Sequence, residues 1–76
     1  MVLKIVKVYE SGVSEVFTIN TDAKHGRYKF NSIKIADASH YPLKRVENGY
    51  QYESVMVYGG KYRKCITTVT LCHGWV

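Results

Sequence analysis

The 76-residue sequence predicts an all-β domain, or a nearly all-β one with a single short helical turn. The expected form is a small five-stranded antiparallel barrel or strongly twisted sheet built from two hairpins. Three observations carry this expectation. Two glycine-marked turns, Glu10-Ser11-Gly12 and Gly59-Gly60, each separate runs of alternating residues. No apolar 3.6-residue period extends over a useful length. With Pro42 as the sole proline, little protects strand edges, and closure into a barrel would remove them.

The first hairpin has a derivable register. A three-residue loop of Glu10, Ser11 and Gly12 puts glycine at the left-handed position that follows a type I turn. Tyr9 then faces Val13, Lys7 faces Glu15, Ile5 faces Phe17 and Leu3 faces Ile19. One face thereby collects Leu3, Ile5, Tyr9, Val13, Phe17 and Ile19 as core. A two-residue loop would set Lys4 beside Ile19 and Val8 beside Glu15, and is rejected for that reason.

Residues 20 to 27 lose their β-branched character after Thr21 and read as a loop or one helical turn, capped by Thr21 and closed by Gly26. Tyr28 to Ile35 is the next strand candidate. Its alternation breaks, because Tyr28 and Phe30 fall on one face while Ile33 and Ile35 fall on the other, so a bulge near Asn31-Ser32 is required. Residues 36 to 42 form a loop, with Tyr41 held extended by Pro42. Leu43 to Val46 is a short strand ending at the Asn48-Gly49 turn signal.

The second hairpin joins Tyr50–Tyr58 to the strand from Lys61 through Gly59-Gly60. Its register pairs Tyr58 with Lys61, Met56 with Arg63, Ser54 with Cys65, Tyr52 with Thr67 and Tyr50 with Val69 on one face. The other face pairs Val57 with Tyr62, Val55 with Lys64 and Glu53 with Ile66. Neither face is purely polar. A barrel would bury one, and pairing of two copies into a homodimer would cover the other.

Size and composition bound the function. A chain this short supports one modest core, so residues 1–76 are read as a single small β domain. No apolar run is long enough to span a membrane, and Lys4 and Lys7 interrupt the first strand where a signal peptide would be continuous. A cytoplasmic location is expected. Cys65 and Cys72, seven residues apart on one strand, are expected to stay reduced.

No catalytic residues are assigned. Cys72 and His73 are adjacent and point oppositely on a strand, while Cys65 and His73 stand about 26 Å apart along one. No cofactor is expected, and no metal site either, because Cys65, Cys72, His25, His40 and His73 lack the paired spacing of zinc ligands. The cysteines read as small buried hydrophobes.

The chemistry that remains is binding. The formal charge is +5, and it concentrates in the middle: Lys24, Arg27, Lys29, Lys34, Lys44 and Arg45 exceed Asp22 and Asp37 by four. Such a field draws phosphates or acidic protein surfaces. The preferred partner is nucleic acid or another polyanion. Tyr50, Tyr52 and Tyr58 are assigned to base stacking, and Lys29, Lys44, Arg45, Lys61, Arg63 and Lys64 to phosphate pairing.

The alternative is an inhibitor, of the kind viruses, phages or mobile elements encode, that binds and blocks a host or defence protein. It would use the same hairpin with Met56 and Trp75, residue types enriched at binding hot spots. A further alternative is an oligomer that sequesters a small ligand between subunits.

Overall fold

A computed structural model describes residues 1–73, apart from the Tyr58 side chain. The elements in chain order are β1 (Val2–Tyr9), β2 (Ser14–Asn20), α1 (Ala23–Ala38), β3 (Lys44–Val46), β4 (Gly49–Tyr58) and β5 (Lys61–Cys72). The five strands form one antiparallel sheet in the order β2-β1-β5-β4-β3. The expected β class therefore holds, with the sheet open and not closed into a barrel.

Both hairpins adopt the registers derived from their turns. In the first, Leu3 pairs with Ile19, Ile5 with Phe17 and Lys7 with Glu15. Gly12 takes a φ of 91°, and the Tyr9 amide donates to the Val13 carbonyl at 2.8 Å. In the second, Tyr58 pairs with Lys61 and Tyr50 with Val69, while Gly59 and Gly60 have φ of 62° and 76°. Pairing of β1 with β5, with Leu3 opposite Leu71 and Tyr9 opposite Cys65, joins the hairpins into one sheet.

The strand expected over Tyr28–Ile35 is instead part of α1, a 16-residue helix. Thr21 and Gly26 do not cap and close a single turn. Asp22 is the N-cap, accepting the His25 amide at 2.8 Å, and Gly26 lies inside the helix. The topology explains the outcome. β2 and β3 occupy opposite edges of the sheet, so the connection must cross four strand spacings, ~19 Å. A 16-residue helix spans ~24 Å while satisfying its own backbone. Helical geometry also resolves the broken alternation, since Phe30 and Ile33, three apart, share the inward face without a bulge. Tyr28 and Ile35 point outward, each 73% exposed.

The helix lies over one face of the sheet. Leu3, Tyr50 and Val69 are the buried centre, with Ile5, Phe30, Ile33, Leu43, Tyr52 and Leu71 packed around them. Gly26 lets α1 approach closely, because a Cβ there would stand 3.1 Å from Thr21 Cγ2 and 3.3 Å from Leu71 Cδ1. Toward β2 the cover thins, leaving Val13, Phe17 and Ile19 of the expected core face exposed.

The sheet has two unpaired outer edges. One is β2. The other is β3 and, beyond Gln51 where β3 has ended, β4, whose residues 52 to 58 have no strand partner on that side among the described residues.

Candidate interaction face

Register fixes which side chains share a face, because cross-strand partners point the same way. On the helix-covered face, one row runs Arg45, Tyr50, Val69, Ile5, Phe17 across all five strands, and the next runs Tyr52, Thr67, Lys7, Glu15. On the opposite face the corresponding rows are Lys44, Gln51, Thr68, Val6, Val16 and Glu53, Ile66, Val8, Ser14. Val55 beside Lys64 and Val57 beside Tyr62 extend it toward the Gly59-Gly60 tip.

The covered face takes most of the residues assigned to base stacking, and this corrects the assignment. Tyr50 is 2% exposed. Its hydroxyl donates to Asp37 Oδ2 at 2.7 Å and its ring meets Phe30 at 5.6 Å. Burial, then the hydrogen bond to Asp37, pushes its phenol far above the ordinary tyrosine range. Tyr52 is half-buried and stacks on Tyr41, with ring centroids 4.6 Å apart and planes at 11°. Burial raises its phenol too, against a lowering hydrogen bond from Thr67. Neither ring stands free for an incoming base. Trp75 and the Tyr58 side chain lie outside the described residues.

The cations assigned to phosphate are dispersed. Lys29 is exposed on α1, and Lys61 is exposed at the second hairpin's turn. Arg45 is exposed beside the helix, on the side of Tyr50. Arg63 and Met56 face each other, half-buried, on the covered side, and Arg63 Nε is enclosed without a hydrogen-bond partner among the described residues. Only Lys44 and Lys64 of the assigned set reach the open face, where Lys4 joins them. Glu53 stands among them, 3.8 Å from Lys64.

The open face is instead dominated by exposed apolar side chains. Val8, Val16, Val55, Val57 and Ile66 all stand in solvent, with Val57 at 66%. Tyr62 is 81% exposed. Gln51 Nε2 donates to Thr68 Oγ1 at 3.0 Å, tying the centre of this surface together. The derived hairpin register already contained this composition. Which side the helix covers was not in it.

Among the described residues, no group of three or more His, Cys, Asp or Glu converges as a metal site. Cys65 and Cys72 are both free thiols on the unbroken β5, the first buried and the second half-buried. Asp22 and His25 form an exposed pair at the start of α1, with Nδ1 2.8 Å from Oδ2. The His25 backbone amide, above all, holds the Asp22 carboxyl below its usual value, which is the signature of a helix cap. No helix among the described residues is long and apolar enough to cross a membrane.

No protein-family model, curated protein or solved structure matches this chain.

Proposed function

We propose that this chain is a non-enzymatic binding module that covers an acidic surface of another protein with the open face of its sheet. The observation that carries the reading is the composition of that face. Exposed aliphatic side chains run from Val16 and Val8 through Ile66 to Val55 and Val57, which faces Tyr62 at the hairpin tip, and Lys4, Lys44 and Lys64 stand on the same face. A contiguous apolar surface of this sort marks protein interaction, and tyrosine is a frequent anchor in such contacts. The lysines would steer an acidic partner and set the rim. Inhibition by occupation, the role considered for a viral or phage product, is one use of such a surface.

Nucleic acid, preferred on sequence, becomes the second reading. It draws on the same lysines and on Tyr62, whose ring offers one stacking position. Single-strand binders use several aromatic platforms, each worth ~1–3 kcal/mol, and on this face aliphatic residues occupy the neighbouring positions.

A photo-crosslinking amino acid placed at Val57, and in a second protein at Tyr28 on the helix, tests the proposal in native lysate. The expected result is one discrete protein adduct from position 57, insensitive to nuclease and to 300 mM salt, with none from position 28. Adducts that vanish on nuclease treatment would favour the nucleic-acid reading. Equal adducts from both positions would overturn the assignment of the face.

A further inference from the structure

The helix covers its side of the sheet unevenly. It packs on β5 and β1 and, through Phe30 and Asp37, on Tyr50 of β4, while toward β3 it lines the remaining space with Phe30 and Lys34. The result is a wedge-shaped cavity of about 850 Å³, inside the size range of small-molecule sites. Phe30, Leu43 and Leu71, all half-buried, supply apolar walls above the buried Tyr50, and Lys34 of α1 and Arg45 of β3 supply two cations. Glu47 is the one carboxylate in the lining, so the site is net positive.

The floor of this wedge is held rigidly. Tyr50 is pinned by Asp37 at its hydroxyl and by Phe30 at its ring. The turn at the wedge's end is tied to β5 by the Leu71 amide donating to the Asn48 carbonyl at 2.9 Å. The core beside it is thin: among the described residues the largest fully buried side chains are Tyr50, Leu3, Val69 and Cys65. An apolar body entering the wedge extends this core without displacing it.

We propose that the wedge is a binding site for a small amphipathic monoanion, a molecule with one carboxylate or similar head and a drug-sized apolar body. The body lies on Phe30, Leu43 and Leu71, and the head is held by Lys34 and Arg45. Two cations at a cleft of mixed polar and apolar lining select for charge as well as shape, because a neutral analogue leaves the basic pair without its counter-ion. The site lies on the covered side of the sheet and does not depend on the proposed protein-binding face. It also lies within one chain, unlike the between-subunit pocket of the third alternative read from sequence.

Decanoate is a suitable probe, with decan-1-ol as its uncharged counterpart. Titration of the isotope-labelled protein, followed through amide and methyl NMR signals, should give saturable one-to-one binding of decanoate. The largest shifts should fall on Leu43 and Leu71, and decan-1-ol should bind at least tenfold more weakly. The double variant Lys34→Glu, Arg45→Glu changes two exposed side chains, so its spectrum should otherwise match the parent while decanoate affinity falls at least tenfold. Absence of saturation, equal affinity for the alcohol, undiminished binding by the double variant, or shifts centred on Val55 and Val57 would each overturn the proposal.

Discussion

Tyr50 and Tyr62 stand on neighbouring strands of one hairpin and have the same side chain, yet one is 2% exposed and the other 81%. The difference is one of pairing parity. Tyr50 shares its row with Val69 and Ile5 beneath the helix, whereas Tyr62 shares its row with Val57 on the open side. A small sheet with a single helix has cover for one face only. Residue type therefore does not decide what becomes core in this molecule; alternation relative to the helix and distance from it do, since Phe17, in Tyr50's own row but out on β2, stays 50% exposed.

The sharpest way to break that comparison is to truncate a residue on each side. Tyr50→Ala should cost ~3–5 kcal/mol by the usual toll of aromatic truncation in a core. In a domain of this size that leaves little net stability. Tyr62→Ala should leave the urea midpoint almost unmoved. Comparable losses from the two would erase the distinction between the faces.

A smaller effect appears on raising the pH. The Tyr50 phenol is held far above its ordinary value by burial and by Asp37, so its contribution is fully present below the unfolded value of ~10 and is lost as pH rises beyond it. The thermal midpoint should fall between pH 9.5 and 11.5. Tyr50→Phe gives up ~1.5 kcal/mol at neutral pH with the hydrogen bond to a carboxylate, and should lose less than the parent over the alkaline range. An identical alkaline slope in both proteins would place the effect elsewhere.

The smallest effect sharpens the picture of the open face. Val57→Thr keeps the β-branched shape of a 66% exposed residue and should shift stability by no more than ~0.5 kcal/mol. The same change should weaken capture of the protein partner. A large loss of stability with no change in capture would mean that Val57 serves the fold and not an interface.

How much of this was legible in sequence follows from the range of the signals. The two hairpins were readable to the individual pair, because Gly12 and Gly59-Gly60 fix both turn type and register locally. The helix was not, because its inward positions are Gly26, Phe30, Ile33 and Asp37, only two of them apolar, while Tyr28 and Ile35 face solvent. That pattern conceals a helical stripe and imitates a strand. Asp22, able to cap at the position before Ala23, was the one local hint. The site fared likewise. The composition of both hairpin faces was known, but which one meets α1 depends on the β1–β5 pairing and the crossover, and neither leaves a local trace. The three tyrosines were read as display, and Tyr50 and Tyr52 turned out to be structure.

Gly49 carries a consequence of another kind. It opens β4 so close to β5 that a Cβ at this position would collide with the Val69 carbonyl oxygen and lie 2.9 Å from Thr70 Cα, both of them backbone atoms that cannot swing aside. Alanine, the smallest replacement, already forces the two strands apart just where Tyr50 enters the interior. Any chain that keeps this sheet should therefore still have hydrogen for a side chain here, a mark by which distant kin can be told from coincidental lookalikes.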